Sequence, residues 1–219
     1  MGAPALGGRV IAPDTIGIFG GTFDPIHQAH LAVAESARDA FDLRRVLFIP
    51  AAEPPHKTDW QITPAEQRLA MVELAIAGNP GFEASRMEID RGGTSYTLDT
   101  LTSLRDKLDG APVALILSAE SFAGLPTWRS PERVLELADL IVAPRDGYPD
   151  ADADLIVRHF PGSRGRATFL DGPRMRLSAS EIRARAASGR SVRYLVPDAV
   201  AAYIGDHALY RSTARTHRP

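Results

Sequence analysis

Ile16-Gly17-Ile18-Phe19-Gly20-Gly21-Thr22-Phe23-Asp24-Pro25-Ile26-His27-Gln28-Ala29-His30 begins as a short apolar run and ends on two histidines three residues apart. The run reads as a buried strand stopped by a glycine pair in a tight turn. Beyond it, Leu31, Ala34, Ala37 and Phe41 recur at helical spacing, and Arg45-Val46-Leu47-Phe48-Ile49 reads as a second buried strand before Pro50. One strand-loop-helix-strand unit is thereby defined.

The same alternation continues outward. Thr63-Pro64-Ala65-Glu66 combines a capping residue, a proline at the first helical position and an acid, which predicts a helix from Pro64 to Gly78. Met87-Glu88-Ile89 reads as a short strand, Ser95 to Leu108 as a helix, and Val113 to Leu117 as a strongly apolar strand. A helix starting at Ser130-Pro131-Glu132, a strand at Leu140 to Ala143, a helix near Asp152 to Phe160, a strand at Ala167 to Leu170 and helices at 180–188 and 198–207 follow. Strands with almost no polar positions, alternating with helices, predict an α/β fold: a Rossmann-like, doubly wound, mostly parallel sheet with helices on both faces.

At 219 residues the chain suits one domain, expected over residues 16–210, with a loose extension at 1–15 and a polar tail at 211–219. Hydrophobic residues make up 44% and charged residues 24%, an ordinary soluble mix. The net charge of −2 gives no global reason to expect nucleic acid or an anionic membrane as partner. With no cysteine, disulfides and thiolate chemistry are excluded and a reducing, cytoplasmic setting is expected. No segment reaches the roughly 20 apolar residues that span a bilayer, and residues 1–15 lack a signal-peptide core.

In an open parallel sheet, ligands bind beyond the carboxyl ends of the strands, which is where Gly20-Gly21 falls. Glycines admit a phosphate close to the backbone, and the amides of a following helix point at an anion. His27 and His30 share one face of that helix entry and can meet the same phosphate. The stretch is neither a dinucleotide fingerprint nor a Walker loop, because G-x-G-x-x-G and G-K-[ST] are both missing. A second candidate phosphate cradle is Ser178-Ala179-Ser180-Glu181, which reads as a capping box opening a helix that carries Arg183. Between residues 164 and 193 eight arginines face two acids, yet only Phe169 and Tyr194 supply rings, so a small polyphosphate fits better than nucleic acid.

These motifs resemble the nucleotidyltransferases with the signature H-x-G-H, and within them the bacterial nicotinate-nucleotide adenylyltransferases. The resemblance runs from Gly20–His30 through Pro54-Pro55-His56-Lys57, Arg91-Gly92-Gly93-Thr94-Ser95-Tyr96-Thr97, Pro126-Thr127-Trp128 and Ser178 to Arg183, to Leu195-Val196-Pro197-Asp198-Ala199-Val200 with Tyr203-Ile204. It covers about residues 16–210.

The resemblance implies an enzyme that transfers the adenylyl group of ATP to nicotinate mononucleotide. It places Gly20, Gly21, Thr22 and Phe23 against both substrates and His27, His30 and Arg183 at the ATP phosphates. Ser118, Glu120, Arg145, Ser178 and Ser180 fall on the ATP side. Lys57, Thr97, Leu98, Trp128 and Arg129 fall on the mononucleotide side, Trp128 stacking on the pyridine ring and the 97–98 amides with Arg129 meeting its carboxylate. Magnesium is implied as a cofactor carried by the ATP phosphates, which displaces a reading of Asp24, His27 and His30 as metal ligands. Self-association is left open.

Four positions depart from the family pattern: Ala29 stands at the glycine of H-x-G-H, Ser118 and Glu120 at the glycine and aspartate of Gly-x-Asp, and Ser180 at a threonine. Nicotinamide mononucleotide, the substrates of other H-x-G-H transferases and a non-catalytic regulator remain rival readings.

Overall fold

A computed structural model describes residues 10–54, 61–147, 149–152 and 154–211. The elements in chain order are β1 (Ile16–Gly21), α1 (Gln28–Ala40), β2 (Arg45–Pro50), α2 (Ala65–Ile76), β3 (Phe82–Ala84), α3 (Met87–Arg91), α4 (Thr97–Lys107), β4 (Val113–Ser118) and α5 (Ala119–Ala123). They continue with α6 (Pro131–Leu137), β5 (Asp139–Ala143), α7 (Leu155–His159), β6 (Ala167–Phe169), α8 (Ala179–Ala187) and α9 (Asp198–Asp206). All five strand pairings are parallel, in the order β3-β2-β1-β4-β5-β6. The expected α/β architecture with helices on both faces is therefore present.

Alternate residues of each strand feed opposite faces, and both faces are covered. Val46, Phe48, Ile116 and Ile141 pack with Ala34 and Ala37 of α1, Met71 and Val72 of α2, Ile182 of α8 and Val200 of α9. Ile16, Ile18, Leu47, Ile49, Leu115 and Leu117 pack on the other face with Leu101 and Leu104 of α4, Phe122 of α5 and Leu135 of α6. No helix among the described residues is long and apolar enough to cross a membrane.

The structure departs from expectation at several points. Met87-Glu88-Ile89 belongs to the short helix α3, and the edge strand is Phe82–Ala84 instead. Three alternating residues fit one helical turn as well as a strand, and Gly92, at φ 69°, closes the turn by donating to the Glu88 and Ile89 carbonyls. Helix α2 starts one residue later than the proline rule suggests, and Thr63 is drawn into tertiary contacts. Upstream, Ile11 is packed in the core and the Thr15 hydroxyl donates to the Ala12 carbonyl, so the packed fold reaches above residue 16.

Candidate active site

Strand order reverses direction at β1: β2 and β3 lie to one side, β4, β5 and β6 to the other. The helices that follow β1 and β4 therefore leave on opposite faces, which opens a crevice at the carboxyl ends of these strands. A cleft of about 600 Å³ lies there, lined by Gly20 and Gly21 of β1, Ser118 of β4, Ala143 of β5 and the first residues of α1 and α8. Two helix N-termini thus face one space, and each directs amides and positive dipole ends toward it.

The glycine pair is not a turn. Gly20 and Gly21 are the last residues of β1, in register with Ile49 and Pro50 of β2. A Cβ at Gly20 would meet no protein atom within 4 Å, whereas one at Gly21 would press on the Phe23 ring at 3.1 Å. The chain turns one step later, at Phe23, whose φ is 49°. Phe23 accepts that left-handed backbone because its ring is buried against Phe19, Phe48 and His30.

His27 caps α1 and His30 occupies its third position. Their rings stack at 3.7 Å between centroids, 17° apart, and the His27 amide donates to His30 Nδ1 at 3.2 Å. Phe19 and Phe23 meet His30 edge-on. His27 is only 5% exposed and its Nδ1 has no hydrogen-bond partner among the described residues. Burial, reinforced by the positive field of Arg145, lowers the His27 pKa to about 4. Burial, then the neighbouring His27 and Arg145, likewise holds His30 well below its ordinary value. Both imidazoles are therefore neutral at pH 7.

At the other helix, the Ser178 hydroxyl accepts from the Glu181 amide at 3.2 Å, as the capping reading requires. Arg183 is oriented twice: Nη2 donates to the Ser180 hydroxyl at 3.0 Å and Nη1 to the Asp24 carbonyl at 2.7 Å. Of the eight arginines between 164 and 193, Arg183 is the one that lines the cleft among the described residues. Others are spent locally, such as Arg166 on Asp139 and Arg185 on the Ser191 carbonyl. Arg145 also lines the cleft and is ion-paired with Glu120, which follows the neighbouring strand β4.

Thr22, Ser118, Ser178 and Ser180 line the cleft as well, but Thr97, Leu98, Trp128 and Arg129 do not. Those four form a second cluster. Thr97 and Leu98 are the first residues of α4, where helical amides have no intrahelical acceptor. Trp128 and Leu98 pack on the same core face, half-buried, and Arg129 lies 5.0 Å over the Tyr96 ring while bonding Asp99 at 3.2 Å. Lys57 lies outside the described residues.

Asp24 does a different job from the metal ligation considered and set aside above. Its carboxylate, 2% exposed, accepts from the Thr63 amide at 3.1 Å and from the Tyr210 hydroxyl at 2.7 Å. Burial and then the Asp24 charge raise the Tyr210 pKa, so the phenol stays protonated and donates. Tyr210 escaped the sequence reading because it stands at the edge of the expected tail. Among the described residues there is no group of three or more histidines or carboxylates that would hold a metal.

The cytidylyltransferase-like family profile matches residues 18–185. A relative from Roseiflexus sp., named "Probable nicotinate-nucleotide adenylyltransferase", is 49% identical over 90% of this chain and 98% of its own. One of the same name from Thermomicrobium roseum is 46% identical over 90% and 92%. The Corynebacterium glutamicum relative is 41% identical over 90% and 88%. Among solved structures, a Plasmodium falciparum nicotinic acid mononucleotide adenylyltransferase complexed with NaAD superposes with a TM-score of 0.74 at 18% identity, covering 90% of this chain and 97% of that one.

Proposed function

The chain belongs to the nicotinate-nucleotide adenylyltransferases, within the cytidylyltransferase-like family, and from that premise we propose how its cleft performs the reaction. The enzyme joins ATP to nicotinate mononucleotide, giving nicotinate adenine dinucleotide and pyrophosphate, in NAD biosynthesis.

A phosphate oxygen of the mononucleotide attacks the α-phosphorus of ATP, and the bond from that phosphorus to the bridging oxygen of the β-phosphate breaks. The attacking oxygen is already ionised near neutral pH, so no general base or covalent intermediate is required. Alignment and stabilisation of charge on the departing pyrophosphate are required instead.

In our reading Gly20 lets the polyphosphate lie against β1, since nothing occupies the space a side chain would take. Gly21, Thr22 and Phe23 continue that wall between the two substrates. The β- and γ-phosphates lie between the α1 and α8 N-termini, contacted by His27, His30, Ser178, Ser180 and Arg183. The imidazoles, kept neutral by burial, donate their N–H groups to the phosphate oxygens on which charge builds as pyrophosphate leaves. Ser118, Glu120 and Arg145 meet the adenosine side. Thr97 and Leu98 amides with Arg129 receive the pyridine carboxylate, Trp128 stacks on the ring, and Lys57 is assigned to the mononucleotide phosphate from its sequence position alone.

ATP-dependent nucleotidyl transfer uses a divalent cation, and we assign magnesium. The hydroxyl, imidazole and guanidinium donors of the cleft suit phosphate oxygens, and the Asp24 carboxylate is spent on Thr63 and Tyr210, so the ion is assigned to the phosphates themselves.

The observation that carries this reading is the convergence of two helix N-termini, the stacked histidines and Arg183 on one cleft at the switch point of the sheet. Pyrophosphate release from ATP, compared between nicotinate and nicotinamide mononucleotide, tests it. Faster release with the nicotinate form is expected. A preference for the amide overturns the substrate assignment, and no release with either overturns the reaction.

A further inference from the structure

Arg68 lies on α2 between residues of the core face and is 1% exposed, and its four side-chain hydrogen bonds among the described residues all go to the main chain. Its guanidinium is spent on four carbonyls from three separate loops. Nε donates to Thr63 at 2.8 Å, Nη1 to Thr22 at 2.7 Å, and Nη2 to Ala51 at 2.6 Å and Ala52 at 3.0 Å. Apolar packing alone would be served by leucine or methionine without the desolvation of a charge. What an arginine adds is a planar fork of donors in fixed directions.

Those loops belong to different halves of the reaction. Thr22 is in the wall of the cleft that receives ATP. Ala51 and Ala52 follow β2, where the Ala52 amide donates to the Ser95 hydroxyl at 2.9 Å and the Ser95 amide donates to the Glu53 carbonyl at 2.9 Å. Ser95 immediately precedes Tyr96 and the start of α4, the element assigned to the mononucleotide. Arg68 therefore ties the loops of both half-sites to one rigid group, beside the direct bond from the Ala51 amide to the Gly21 carbonyl at 2.9 Å. Asp24 and Glu88 offset part of its burial cost through their fields, without displacing it from the carbonyls.

We propose that Arg68 is a positioning residue that sets the register between the two half-sites, holding the α-phosphorus and the attacking phosphate oxygen in line. This rests on the adenylyltransferase reading above. In-line transfer requires the reacting atoms roughly 3–3.5 Å apart, and a displacement of about 1 Å costs on the order of 100-fold in rate. Each substrate alone draws its contacts from its own half-site and the shared Gly20–Phe23 wall, and so depends only weakly on register. The dinucleotide product spans both half-sites and depends on it strongly.

The test compares wild type with Arg68→Lys and Ser95→Ala, each checked for a cooperative thermal transition. In each, kcat and both KM values are measured, with calorimetric affinities for a non-hydrolysable methylene analogue of ATP, for nicotinate mononucleotide and for nicotinate adenine dinucleotide. Arg68→Lys is expected to lower kcat by ~10-fold or more and to weaken the dinucleotide by a similar factor, while each half-ligand changes by less than about 3-fold. Ser95→Ala is expected to act in the same direction to a smaller extent. A purely structural role would lower the transition temperature and leave kcat and the ratio of dinucleotide to half-ligand affinity at wild-type values, which would overturn the proposal. If Arg68→Lys does not fold, normal kcat and dinucleotide affinity in Ser95→Ala overturn it equally. Inactivity of wild type in the same assay counts against the adenylyltransferase reading instead.

Discussion

His27 and His30 are stacked, buried and neutral at pH 7, and that state has a thermodynamic consequence. A histidine whose pKa is depressed on folding binds fewer protons folded than unfolded, so its contribution is fully present above the ordinary value of 6.5 and is lost as pH falls toward 4. Stability of the free enzyme should fall across that window by up to about 3 kcal/mol from His27 alone. Denaturant unfolding measured between pH 4 and 8 checks this, and the curve for His27→Gln should be flatter. For catalysis, His30→Ala and Arg183→Ala should each lower kcat by roughly 100- to 1,000-fold, with an unchanged circular dichroism spectrum. Near-normal turnover in both would remove them from the phosphate site. The sequence exposed these residues because their types and spacing are unusual at a strand end. It did not reveal Arg68 or Tyr210, whose partners are main-chain carbonyls and a carboxylate more than a hundred residues away for the tyrosine.

Helix α8 depends on Ser178 for its start, and that start is also a wall of the cleft. Ser178→Ala should cost about 1 kcal/mol of stability through the lost cap. Because the same turn presents Ser180 and Arg183, KM for ATP should rise by several-fold, measurable by steady-state kinetics beside a denaturant titration. A rise in KM without a loss of stability would separate the hydroxyl's ligand contact from its capping role. Helix starts were legible here because a cap is a local hydrogen bond. At α2 the same logic placed the start one residue early, since Thr63 forms its bonds with Asp24 and Arg68. At Met87–Arg91 it chose the wrong element, because a three-residue pattern carries no decisive period and the sheet edge was already taken by Phe82–Ala84.

For the whole molecule, ligand binding and folding are linked. ATP with magnesium at about 100 times its Kd should stabilise the protein by ~2.7 kcal/mol, which for a chain of this length corresponds to roughly 5–10 °C in Tm. Differential scanning fluorimetry checks this, and Arg183→Ala at the same ligand concentration should lose most of the shift. The sequence alone determined the α/β class and the strand end at which the cleft opens, because continuous apolar runs, helical periodicity and a glycine pair at a strand end are local patterns with few physical solutions. Its motifs also marked residues that the fold gathers into the cleft and into the cluster at the start of α4. Only the tertiary structure decided that the glycines extend β1 while Phe23 makes the turn, and that burial leaves the histidines neutral. It alone tied Asp24 to Tyr210 and brought carbonyls of three separate loops onto Arg68. Burial and long-range hydrogen bonding depend on which segments the sheet order brings together, and no local pattern in a single chain encodes that order.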